Sequence, residues 1–198
     1  LVALNSQISE DANNLTKALK GNNKVQGNWG EMILESILEK SGLKKGEEYY
    51  AQEFITDENG NRIRNEQQNY MQPDIVVAYP GGRKIIIDSK VSLSAYVRYV
   101  EAENDDIRTT SEKEHITSIK QHIDELSRKS YQDYVESLDF VMMFIPTEPA
   151  YILAMQLDSS LWDYAYRKRI LLISPTNLIA SLKVVADLWK REYQSRNA

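Results

Sequence analysis

Asp74, Asp88 and Lys90 carry the most chemically suggestive spacing in the chain. Asp74 opens the apolar run Ile75-Val76-Val77-Ala78-Tyr79; Asp88 closes a second run, Lys84-Ile85-Ile86-Ile87, with Lys90 two residues further on. Pro80-Gly81-Gly82 between them reads as a three-residue hairpin loop, with Gly for its left-handed position. Such a loop sets Tyr79 opposite Arg83, and counting back along both strands sets Asp74 opposite Asp88. Opposed residues share one face with Cβ atoms about 5 Å apart, and Lys90 projects from that same face. Two carboxylates this close repel each other, and a divalent cation between them removes the repulsion. Oxygen donors with no His or Cys nearby favour Mg²⁺ or Mn²⁺ over Zn²⁺. A neighbouring ammonium orients an attacking water and stabilises charge on a phosphate. A register slipped by one residue would leave only a strand-end Asp–Lys ion pair.

Elements that hold this hairpin follow from periodicity. Trp29, Ile33, Leu34, Ile37 and Leu38 share one helical face, and Ser41-Gly42 supplies a stop. Residues 49–56 read as a strand, 57–61 as a turn and 61–70 as a polar loop or ragged strand. Helical periodicity returns over 93–102 and 111–130. Apolar strands are expected at 140–145 and 170–173, with helical segments between them and a closing helix after Pro175. Helices alternating with apolar strands after an antiparallel hairpin imply an α/β fold, a mixed sheet covered by helices on both faces. No internal repeat stands out.

Residues 1–25 place Leu1, Leu4, Ile8, Leu15, Ala18 and Val25 on a weak heptad, the end of a coiled coil or a plain amphipathic helix. A boundary is therefore expected near residue 25, with one globular domain over 26–198. The absence of cysteine among the 198 residues excludes disulfides, thiolate metal sites and cysteine nucleophiles. The net charge of −5 argues mildly against a nucleic-acid partner. Yet residues 158–198 hold seven basic side chains against four acidic ones, and a bound Mg²⁺ would offset two negatives where phosphate must approach. No nucleotide-binding glycine loop or nucleophile elbow is present, and no organic cofactor is expected.

Pro73-Asp74, thirteen residues, then Asp88-Ser89-Lys90 resembles the PD-(D/E)xK nuclease motif. Gly27-Asn28-Trp29-Gly30-Glu31, Met71-Gln72-Pro73-Asp74, Ile87-Asp88-Ser89-Lys90, Phe144-Ile145-Pro146-Thr147-Glu148-Pro149, Ser174-Pro175-Thr176 and Gln194-Ser195-Arg196-Asn197-Ala198 follow in the order seen in the RmuC family of DNA recombination proteins. The resemblance spans about residues 20–198. It implies a restriction-endonuclease-like core, DNA as partner, and a Mg²⁺- or Mn²⁺-dependent nuclease. Asp74 and Asp88 would be metal ligands, with the Ser89 carbonyl and Glu31 as further ones, and Lys90 would position the water. It also implies a bacterial cytoplasmic domain, with a membrane anchor and coiled coil preceding it and self-association through that coil. A non-catalytic DNA-binding or scaffolding module on the same fold is the competing expectation.

Further residues carry two readings each. Glu31 completes the metal site, or forms a capping pair with Asn28. His115, His122 and Lys129, seven residues apart, line a phosphate-binding groove with Arg128 and Lys120 nearby, or form a solvated helix edge. At about 10.5 Å per seven residues the two histidines do not share a metal. Ser174 and Thr176 open the last helix as a phosphate cradle or as an ordinary cap. Arg167 and Lys168 track a DNA backbone, or are solvated surface. Glu148 supports the metal site or caps a helix. Tyr96 and Tyr99 are core or groove wall, and the three Trp are packing.

Overall fold

A computed structural model describes residues 23–89, 92–136, 138 and 140–197. Its organising unit is the expected hairpin, β2 (Ile75–Tyr79) and β3 (Arg83–Asp88), antiparallel from Tyr79↔Arg83 to Ile75↔Ile87. Gly81 and Gly82 take φ of 89° and 73°, the left-handed turn positions for which a side chain would be strained. β1 (Tyr49–Ala51) adds to β2 antiparallel, while β4 (Val141–Phe144) and β5 (Ile170–Ile173) extend the other edge in parallel. The strand order is β1-β2-β3-β4-β5. Parallel strands need both faces covered, and alternate side chains do enter two separate cores. Ile86, Val141, Met143, Ile170 and Leu172 face one; Ile87, Phe144 and Ile173 face the other.

Helices α1 (Asn23–Ser41) and α7 (Pro175–Arg196) close the second core with Leu34, Leu38, Leu178 and Leu182. The first is covered by α2 (Ser94–Val100), α3 (Asp105–Arg128), α4 (Tyr131–Tyr134), α5 (Glu148–Leu157) and α6 (Leu161–Tyr166). The fold is thus a mixed five-stranded sheet flanked by helices. α3 begins six residues before the expected 111, because Asn104 caps the Ile107 amide and Asp105 and Asp106 suit the positive helix end. The expected boundary at residue 25 falls inside α1, and residues 1–22, which carry most of the heptad, lie outside the described residues. Among the described residues, no helix is long and apolar enough to cross a membrane.

β1 is shorter than the expected strand. Gln52 turns left-handed (φ 51°) and donates its amide to the Asp74 carbonyl, so the chain leaves the sheet as an arm. Here the structure exposes a repeat that composition hides. Phe54-Ile55-Thr56-Asp57-Glu58-Asn59-Gly60-Asn61 is followed by Arg62-Ile63-Arg64-Asn65-Glu66-Gln67-Gln68-Asn69, and then by Tyr70-Met71-Gln72. Ile55 donates to Met71, Met71 to Ile63 and Ile63 to Ile55, a closed ring of backbone bonds at 2.9–3.2 Å. Asp57 and Asn65 hold the two turns alike, each accepting the amides two and four residues on. Ile55, Ile63 and Met71 pack into the first core.

Candidate active site

The register of β2 and β3, continued one pair beyond Ile75↔Ile87, places Asp74 opposite Asp88. Both are buried, at 6% and 5% exposure. One Asp74 carboxylate oxygen accepts the Ser89 amide at 3.0 Å and the Ser89 hydroxyl at 3.2 Å. Asp88 receives the Lys129 ammonium at 2.8 Å. Lys129 caps α3, and Ser130 then turns left-handed at φ 50°. That reversal starts α4 with Tyr131, whose buried ring lies 5.7 Å under the Lys129 ammonium. Burial, then the charges of Asp88 and Asp74, hold the Tyr131 hydroxyl well above its ordinary pKa. Lys129, read from sequence as a groove residue, therefore sits on a carboxylate, and Tyr131 joins the site with no motif to announce it.

Glu31 lies in the interior of α1, so the capping pair with Asn28 does not form. Its carboxylate accepts from Gln52 Nε2 at 3.1 Å, and it shares a cleft of about 310 Å³ with Gln52, Asp74 and Lys45. Gly30 beside it faces the strand end: a Cβ there would stand 3.4 Å from the Ser89 carbonyl, an ordinary contact, with no room for a larger side chain. Lys90 lies outside the described residues. Beyond it, His122 Nε2 accepts the Ser92 amide at 3.2 Å while its Nδ1 lies 3.5 Å from Glu125. Gln26 accepts the Leu93 amide at 3.3 Å. His122 is thus an anchor for the segment that follows Lys90.

Other expected contacts fall elsewhere. His115 is fully buried, bonded through Nε2 to the Ala150 carbonyl at 2.9 Å and tilted against Tyr96, so it is closed to any nucleic acid. Among the described residues its Nδ1 has no partner, and burial holds its pKa below the ordinary value. Ser174 caps α7 from a fully buried position, and Glu148 accepts the Thr176 amide at 3.1 Å. A carboxylate already occupies that helix start, which leaves no open phosphate cradle. Arg167 pairs with Asp163, Lys168 with Asp124 and Lys120 with Asp158, so much of the expected basic track is neutralised by its own neighbours. Arg128 stands beside Lys129 at the turn 65–67 of the arm. Of the tryptophans, Trp29 is core and Trp189 donates to the Ala78 carbonyl. Trp162 is 47% exposed, stacked on Tyr166.

Fold and site together define a mixed α/β domain whose sheet ends in two opposed, buried carboxylates attended by an ammonium and a tyrosine. The chain belongs to the RmuC family, whose family model matches residues 1–198. It is 46% identical to the DNA recombination protein RmuC of Salmonella typhimurium and to that of Escherichia coli K12, with all of this chain and 40% of each relative covered. A homolog from Neisseria meningitidis serogroup A is 48% identical, with all of this chain and 33% of the relative covered. The chain thus spans 40% or less of the length of these relatives. No solved structure matches it.

Proposed function

We propose that the domain hydrolyses DNA phosphodiester bonds with Mg²⁺ or Mn²⁺, in the service of DNA recombination. The observation that carries this reading is the burial of Asp74 and Asp88 at opposed positions on the strand ends. The recombination role rests on the name of the relatives. Among the described residues, no group of three or more His, Asp or Glu is placed to hold a metal ion. Mg²⁺, however, is commonly held by one or two carboxylates and keeps its waters. The Asp74 and Asp88 carboxylates with the Ser89 carbonyl fit that donor set, and Glu31 adds a carboxylate across the Asp74 cleft. A bound Mg²⁺ supplies a Lewis acid and an acidified water. Lys129 pairs with Asp88, and burial with the charges of both aspartates keeps the Tyr131 hydroxyl protonated. Lys90 takes the water-orienting role that its place in the Asp88-Ser89-Lys90 motif implies.

The test is cleavage of labelled DNA under Mg²⁺ and Mn²⁺ by Asp88→Asn. Loss of metal-dependent cleavage is expected; cleavage at the unmutated rate overturns the mechanism. A second reading, a DNA-binding module without catalysis, is favoured by one observation: the Lys129 ammonium already neutralises Asp88 from within the chain. Gel-shift binding with no cleavage under either metal decides for it.

A further inference from the structure

The arm over residues 53–72 was singled out by neither the motif nor the fold, and its surface chemistry is unusual. Its ring of backbone bonds turns Ile55, Ile63 and Met71 inward, and the preceding residue of each repeat, Phe54, Arg62 and Tyr70, meets at the other side. Phe54 and Tyr70 pack edge to face at 5.8 Å. The Arg62 guanidinium lies 4.0 Å over the Phe54 ring, and that of Arg64 lies 3.9 Å over Tyr70. Tyr70 is 46% exposed and both arginines are exposed. Among the described residues neither arginine has a carboxylate partner. Arg64 is instead held in place by the Gln68 carbonyl at 2.7 Å.

We propose that this Phe54–Arg62–Tyr70–Arg64 cluster is a stacking platform for the unpaired bases of a DNA strand. The proposal rests on the DNA reading above and names the form of DNA that the site takes. Exposed cation–π pairs stabilise a fold only weakly, and the apolar ring already closes the arm, so the cluster is not needed to hold it. Planar rings and guanidiniums offer stacking surface to any base, and the guanidinium edges remain for phosphates. Glu58 and Glu66 at the two turns, with the net charge of −5, weaken a contact made through phosphates alone. Stacking is what remains, and duplex DNA hides its base faces.

Placement supports the same ligand. Tyr70 precedes Asp74 by four residues, at most about 14 Å of chain. The turn 65–67 borders Arg128 and Lys129, and the Lys129 ammonium reaches Asp88. A strand lying on the platform therefore leads to the carboxylates. Another exposed aromatic stack, Phe140, Tyr166 and Trp162, stands before β4 and β5, at the opposite end of the sheet.

The test is fluorescence anisotropy of the full chain with labelled oligothymidine and with a duplex of equal length, both in EDTA so that nothing is cut. Loss of one base–aromatic stack weakens binding by about an order of magnitude. Tyr70→Ala should weaken single-strand binding about tenfold and leave duplex binding nearly unchanged. Tyr70→Phe should bind as the unmutated chain, and Arg64→Lys, which keeps charge but not the plane, should bind more weakly. Melting curves identify any variant that has lost its fold, in which case Arg64→Lys against Tyr70→Phe decides. Unchanged single-strand binding in Tyr70→Ala and Arg64→Lys, or equal losses for both DNAs, overturns the platform. If cleavage still depends on Asp88, the catalytic reading survives that result. No binding of either DNA by the unmutated chain overturns platform and DNA reading together.

Discussion

Replacing Lys129 with Met removes one partner cation from Asp88, which keeps other interactions, and retains most of the apolar stem that packs near Tyr131. The Asp88 side chain is 7% exposed and lies 2.8 Å from the ammonium, whereas the Lys129 side chain is 35% exposed. Breaking a fully buried ion pair costs about 3–5 kcal/mol, because the remaining charge is left dry. Water reaches the lysine end here, so roughly half of that, about 2 kcal/mol, is expected. For a chain of this size each kcal/mol moves Tm by about 2–4 °C, which gives a drop of roughly 4–8 °C. Thermal melts by circular dichroism at pH 7, in low salt with EDTA, measure it. Asp88→Asn in the same background should restore much of the loss, with a coupling of about 1 kcal/mol or more. Millimolar Mg²⁺ should also raise the Tm of Lys129→Met more than that of the unmutated chain, since a divalent cation replaces the missing ammonium. A Lys129→Met melt within a degree of the original, or strictly additive losses in the double variant, would refute the pairing. Mg²⁺ without effect on either protein would count against the metal site.

Three further outcomes follow from burial and packing. Because burial lowers the His115 pKa below 6.5, the unfolded chain binds the extra proton first. Stability is therefore complete above about pH 6.5 and declines as pH falls below it; in urea melts across pH 5–8, His115→Gln should flatten that slope. Glu48, 3% exposed, accepts the Lys44 amide and the Tyr193 hydroxyl, each at 2.9 Å, and so fastens α7 to the start of β1. Glu48→Ala should cost about 2–3 kcal/mol in chemical denaturation, and Tyr193→Phe about 1 kcal/mol. At Gly30 a Cβ meets only ordinary contacts of 3.4–3.8 Å, so Gly30→Ala should be neutral or slightly stabilising in α1. Gly30→Val pushes into the Ser89 carbonyl and Pro146 and should cost roughly 1–3 kcal/mol by the same assay.

The opposed aspartates were legible in the sequence because a three-residue loop with two glycines dictates strand register through local backbone geometry alone. Apolar runs long enough to be strands, and an apolar face at helical spacing, likewise report their own burial. The arm repeat was also there to be read, as Asp57-Glu58 and Asn65-Glu66 eight residues apart with Asn61 and Asn69 closing each turn. Its polar composition and lack of a strand period concealed it. What no local pattern contains is which polar side chain on a helix edge faces which neighbour. His115 and His122 stand on the same stripe, yet one is sealed against Ala150 and the other holds the Ser92 amide. Glu148 reaches the Thr176 amide 28 residues away, and Lys129 reaches Asp88 across 41. The left-handed turn at Ser130, on a residue type that does not advertise it, follows the lysine that reaches Asp88 and brings the Tyr131 ring beneath its ammonium. Short-range periodicity determines which groups are available and on which element. The partner of a buried charge is decided by how α3 and α4 pack on the sheet, because only close packing removes the water that would otherwise satisfy it.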